Sequence, residues 1–161
     1  MKNTSDIGVL INCNVGGIAR TLRMALRGMG VRRIFLALND DQLEEGFATV
    51  DPSVMLVYVD SDADTDPGLS TLRNVRRSPD SLMPKIPVVA ISQRRDLATI
   101  NAVMNAGAHE YVLFPASGDV LLKRVLAAVN STRSFIETPE YVGPERKSVD
   151  VSKSAKAAIN S

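Results

Sequence analysis

The run VMLVYVDSDADTDPGLSTL, residues 54–72, joins an unbroken apolar stretch to an aspartate, an acidic loop and the start of a helical pattern. Val54 to Val59 is apolar at every position rather than at alternate ones, which is the signature of a strand covered on both faces. It ends on Asp60, and Leu69, Leu72 and Val75 then recur at helical spacing. A doubly buried strand followed by a loop and a helix is one unit of an α/β chain.

The same unit repeats on either side. Ile7 to Cys13 reads as a buried strand closed by the Gly16-Gly17 turn. The residues Ile18, Leu22, Ala25, Leu26 and Met29 then mark a helix over Ile18 to Met29 that stops at Gly30. Ile34 to Leu38 is a second strand, and Asp40-Asp41 opens a short helix through Leu43 and Phe47. Downstream, Ile86 to Ile91 is the fourth strand, Leu97 to Ala106 a helix stopped by Gly107, and Tyr111 to Leu113 the fifth strand. Asp119 to Phe135 carries the pattern of a closing amphipathic helix. Five strands alternating with five helices predict a doubly wound, five-stranded parallel sheet with helices on both faces. Ligands of such sheets gather at the carboxyl ends of the strands.

The bulk properties bound the rest. A chain of 161 residues accommodates one domain and a tail. The expected division is a folded domain over residues 1–135 and a flexible tail over 136–161, where composition shifts to Thr, Pro, Glu, Ser and Lys without periodicity. No apolar run approaches the roughly 20 residues needed to span a bilayer, and the polar start Met1 to Asp6 lacks the pattern of a secretory signal. With the single cysteine Cys13, these features point to the cytoplasm, with no membrane partner. A net charge of +1 argues against a DNA-binding protein, and a chain that closes on a short tail leaves no room for an attached DNA-binding or catalytic module.

Three strand ends converge on chemistry. The third strand presents Asp60, the fourth ends in Ala90-Ile91-Ser92, and the fifth in Leu113-Phe114-Pro115. Over Ile7 to Arg133 the chain resembles the receiver domain of bacterial response regulators, of the stand-alone CheY-like kind. Asp60 with Gly68 eight residues on and Leu69-Ser70-Thr71-Leu72-Arg73 resembles the family's phosphoacceptor, turn glycine and third helix. Ile86-Pro87-Val88-Val89-Ala90-Ile91-Ser92 resembles the fourth strand with its hydroxyl, and Ala106-Gly107-Ala108-His109-Glu110-Tyr111 the turn and switch aromatic before the fifth. The resemblance implies the flavodoxin-like receiver fold, Asp60 as candidate phosphoacceptor, and Ser92 and Tyr111 as candidate switch residues.

The chain departs from that pattern where the family's chemistry is charged. Asn12-Cys13-Asn14 stands where the family has its acidic pair, and Phe114 stands in place of the lysine before the cis-type proline. Amides and a thiol hold magnesium poorly, and phosphoryl transfer relies on such a metal. The reading is a single-domain signalling protein, not an enzyme. It has no catalytic residues and no required cofactor, at most a weakly held Mg2+. It acts by protein contact through the face of the fourth helix, fifth strand and fifth helix around Arg94, Arg95 and Tyr111. The alternative is a competent receiver that takes a phosphoryl group at Asp60 from a histidine kinase. The partner is a signalling protein, with a histidine kinase or a motility component and a homodimer as open options.

Other features carry plainer readings. The alternation Asp60, Asp62, Asp64, Asp66 lacks the glycine and terminal acid of an EF-hand and reads as a solvated loop. Cys13 reads as a small apolar filler, and His109 as an exposed turn residue without a metal role. Gly16-Gly17 is a turn, since the third glycine of a dinucleotide fingerprint is missing. Tyr111 and Phe114 fit core and partner face equally. Arg20, Arg23 and Arg27 form a solvated face or a dock for an acidic partner. The segment Tyr141 to Lys147 reads as a docking peptide, with Arg146 and Lys147 offering only a weak analogy to cyclic-dinucleotide binding.

Overall fold

The structure is a computed structural model that describes residues 3–60 and 65–146. Its strands are short and almost wholly apolar: β1 (Gly8–Asn12), β2 (Arg33–Ala37), β3 (Val54–Tyr58), β4 (Val88–Ser92) and β5 (Glu110–Leu113). They pair in parallel in the order β2-β1-β3-β4-β5, so the chain reverses its winding direction after β2. Every residue of β1, β3 and β4 is buried, as continuous apolar runs require, whereas the edge strand β2 is partly open. The predicted doubly wound parallel sheet is the observed architecture.

Alternate strand residues feed two cores. Leu10, Met55, Val57, Val88 and Ala90 face one side, covered by α2 (Asp40–Val50), α3 (Pro67–Arg77) and α4 (Leu97–Asn105). Val9, Ile11, Leu56, Val89 and Ile91 face the other, covered by α1 (Gly16–Gly28) and α5 (Gly118–Val129). Side-chain oxygens start four of the helices by accepting a backbone N–H: Asn39 for α2, Asp66 for α3, Asp96 for α4 and Ser117 for α5. No helix of the described residues is long and apolar enough to cross a membrane.

The chain after α5 differs from the sequence reading. The last helix stops at Val129 rather than at Phe135, and Phe135–Glu137 (β6) and Val142–Pro144 (β7) form an antiparallel hairpin. Strands of three residues are too short to leave a periodic trace, which is why this stretch reads as tail. The hairpin is docked on its own domain: Arg77 Nη1 donates to Pro139 O at 3.3 Å, and Arg146 Nη1 donates to Asn105 Oδ1. The segment read as a docking peptide therefore has Gly143 and Pro144 buried and the Tyr141 hydroxyl donating to Pro144 O at 2.7 Å. Arg146 is described at its end, while Lys147 lies outside the described residues.

Beneath the hairpin lies Arg76, only 4% exposed. Its guanidinium donates to Gly107 O at 3.1 and 2.7 Å, to Pro84 O at 2.8 Å and to Ile86 O at 2.7 Å, and its carbon centre sits 5.1 Å from the Phe135 ring centroid. Burial lowers its pKa to about 10. Gly107, at φ +107°, presents the carbonyl in a conformation that L side chains rarely adopt.

His109 is not exposed, as the turn position suggested, but 7% exposed, because the ring fills the floor next to Arg76. Its Nδ1 accepts the Val88 N–H at 3.1 Å, which fixes the neutral ring with its proton on Nε2. Burial, then the charges of Arg76 and Arg133, push its pKa down to about 3.

Candidate functional site

The carboxyl ends of β1, β3, β4 and β5 lie in register, Asn12 opposite Val57, Tyr58 opposite Ile91 and Ser92 opposite Leu113. Val59 continues the ladder with its N–H on Ile91 O at 2.8 Å, and Asp60 then leaves the sheet with an exposed side chain. The site predicted from strand ends is thus one edge of the sheet.

Asp66 organises that edge. It is 3% exposed, its Oδ1 accepts the Asp60 N–H at 2.9 Å, and its Oδ2 accepts the Leu69 N–H at 2.9 Å. One carboxylate both caps α3 and holds the backbone of Asp60, so Asp66 is not part of a solvated loop. The signal was available in Asp66-Pro67-Gly68, a capping acid before proline at the first helical turn. Gly68 is required by closeness: a Cβ there would lie 1.9 Å from Tyr58 O. Asp62 and Asp64, the other alternating acids, lie outside the described residues.

Ser92 is fully buried at the end of β4, and its Oγ accepts the Arg94 N–H at 3.1 Å. Tyr111 is 4% exposed, with its hydroxyl donating to Arg94 O at 2.6 Å; burial raises its pKa, partly offset by a hydrogen bond with Ser92. The two switch candidates therefore meet on the 92–94 backbone, and Tyr111 faces inward. Arg94 Nε donates to Asp96 Oδ1 and Thr99 Oγ1, both at 3.1 Å, while Arg95 and Leu97 are exposed. The Thr99 hydroxyl, before the other contributions, holds the Asp96 carboxyl down to about 2.

The remaining positions also sit at the edge. Asn12 is 7% exposed, Cys13 is 1% exposed and Asn14 is exposed. Burial pushes the Cys13 thiol up, and its Sγ donates to Val15 O at 3.4 Å, which fits the filler reading. The Phe114–Pro115 peptide is cis, and Phe114 packs half-buried on the α1 and α5 side. The Tyr58 phenol, beside Asp60, is pushed up to about 12 by burial and then by the Asp60 carboxylate. Among the described residues no three His, Cys, Asp or Glu side chains are grouped to hold a metal.

Sequence reasoning missed a polar cleft of about 200 Å3 between the starts of α2 and α3, lined by Asn12, Asn14, Asn39, Asp40 and Thr71 among others. The Thr71 hydroxyl donates to Asp40 Oδ1 at 2.8 Å across it. It forms where the end of β1 meets the starts of two helices far apart in sequence, so no local motif announces it.

Neither a family model nor a curated relative matches the sequence. Solved structures do. The receiver domain of a Francisella response regulator superposes with a TM-score of 0.64 at 20% identity, covering 80% of this chain and 100% of that one. A response regulator from Thermotoga maritima gives 0.64 at 22% identity, covering 78% and 98%. The signal receiver domain of a DNA-binding response regulator from Colwellia psychrerythraea gives 0.62 at 20%, covering 78% and 100%. With the strand order β2-β1-β3-β4-β5, this likeness gives the chain the receiver fold.

Proposed function

We propose that the chain is a receiver-type signalling module that works through protein contacts without depending on phosphorylation of Asp60. The observation that carries this reading is the composition of the edge around Asp60. Asn12, a buried neutral Cys13 thiol and Asn14 end the first strand, and Phe114 precedes the cis proline. Magnesium requires hard, charged oxygens, and this donor set of amides and a raised thiol does not fit it. No step is therefore assigned to a metal. A phosphoryl group on Asp60 would also lack a cationic partner at Phe114, where the resemblance places a lysine.

The contact surface assigned to the partner is the α4, β5, α5 face, where Arg95 and Leu97 are exposed and Arg94 is tied to Tyr111 and Asp96. The partner is a signalling protein reached in the cytoplasm. The second reading, a phosphoacceptor served by a histidine kinase, rests on Asp60 being exposed with its backbone held by Asp66.

Intact mass after incubation with a small phosphoryl donor and magnesium separates the two, with Asp60→Asn and a competent receiver in parallel. The expected result is no adduct on the wild-type chain. An adduct lost in Asp60→Asn overturns the first reading in favour of the second.

A further inference from the structure

The cleft beside Asn12 is lined by polar groups that the fold leaves partly unused. Asn12 ends β1 more than nine-tenths buried, yet its carboxamide makes no hydrogen bond among the described residues and lines this cleft. The small part of Asn12 that stays exposed opens on this cleft, so its carboxamide is left to pair with water or with a ligand there. The neighbouring groups are half used in the same way. Asn39 spends its Oδ1 on the Gln42 N–H at 3.0 Å, leaving its amide hydrogens, and Asp40 spends Oδ1 on Thr71, leaving Oδ2.

The free groups define the ligand's chemistry. Among the described residues no lysine, arginine or histidine lines the cleft, so a phosphate finds no counter-charge from them, and one half-occupied carboxylate among amides is a poor cation site. A carboxamide instead pairs, donor to acceptor and acceptor to donor, with an amide-like or amidine-like edge, as asparagine does with the edge of adenine. Asp40 adds an acceptor for a second ligand N–H, and Leu38 and Pro67 supply apolar wall. We propose that this cleft binds an uncharged nitrogen heterocycle of nucleobase type, held by Asn12 along its amide or amidine edge and by Asp40 through a ring or exocyclic N–H.

The inference does not depend on whether Asp60 is phosphorylated. The test is an amide-resolved NMR titration of the full chain with free adenine and with cytosine, alongside inorganic phosphate and magnesium chloride. Saturable shifts are expected for at least one base at the Asn12 and Asn39 side-chain amides and at the backbone of Gly68 and Thr71. Asp40→Asn should weaken that binding about tenfold, as expected for losing a hydrogen bond to a charged acceptor. Asp60→Asn should leave it unchanged. Asn12→Leu should abolish it, and if that variant does not fold, the Asp40→Asn comparison decides. The proposal is overturned if neither base produces saturable shifts at millimolar concentration, if the shifts map elsewhere, or if phosphate or magnesium reproduces them.

Discussion

The carboxylate of Asp66 accepts the backbone N–H of Asp60 at 2.9 Å while its other oxygen starts α3 on the Leu69 N–H. The position of Asp60 is thus set by the residue that begins the next helix, and disturbing either end disturbs both.

Replacing Asp66 by alanine removes a helix cap, worth about 1 kcal/mol, and leaves the Asp60 N–H without its partner, at about 1 kcal/mol or more. Urea unfolding should show a loss of about 2–3 kcal/mol on this reasoning. Hydrogen exchange at the Asp60 amide should accelerate as well. Asp66→Asn, which keeps one carbonyl acceptor, should lose about half as much.

Gly68→Ala should be more severe than its size suggests. Its methyl group would sit 1.9 Å from Tyr58 O, so the start of α3 must move off the end of β3. A destabilisation of at least about 2–3 kcal/mol is expected, of the kind that overpacking against backbone produces. Thermal unfolding monitored by circular dichroism reads it.

His109 makes stability pH-dependent. Its folded pKa of about 3 lies below the ordinary histidine value of 6.5, so well above pH 6.5 the ring is neutral in both states and contributes no dependence. As pH falls below 6.5 the unfolded chain takes up a proton that the folded chain refuses. Stability is then lost at up to about 1.4 kcal/mol per pH unit until the folded pKa is reached. Comparing denaturant midpoints of the wild type and His109→Gln between pH 7 and pH 4 should show a shallower acid limb in the variant.

Tyr111→Phe removes the hydroxyl that donates to Arg94 O at 2.6 Å. The cost should be about 1 kcal/mol. Amide exchange should increase locally over residues 93–96 while the β4 ladder stays protected. Unchanged exchange there would show that the 92–94 backbone is held by Ser92 and Asp96 alone.

The sheet was legible because β1, β3 and β4 are continuous apolar runs, and burial on two faces leaves no other way to write them. Asp60, Ser92 and Phe114 were placed at one edge for the same reason, since parallel strands put all their carboxyl ends together. His109 and Asp66 were misread because each is polar in a loop, and only tertiary packing buries one under Arg76 and turns the other into a cap. The hairpin escaped because its three-residue strands pair with each other and rest on α3, information that exists only once the helix is in place. The amide cleft depends on Asn12 from β1 meeting Asn39, Asp40 and Thr71 from two helices on the same face.

The foot of the molecule, opposite the Asp60 edge, is built around the Arg76 guanidinium with backbone carbonyls rather than an acid as its ligands. Those oxygens act as a solvation shell made of protein, a ring of dipoles closed over a cation tethered to the chain itself. Its shape is the flat fork of a guanidinium, so the compact ammonium of a lysine would fill the same charge and leave part of the shell facing nothing. The turn at Gly107, the loop at Pro84 and Ile86 and the hairpin ring of Phe135 thereby share one internal ion as their common point of assembly.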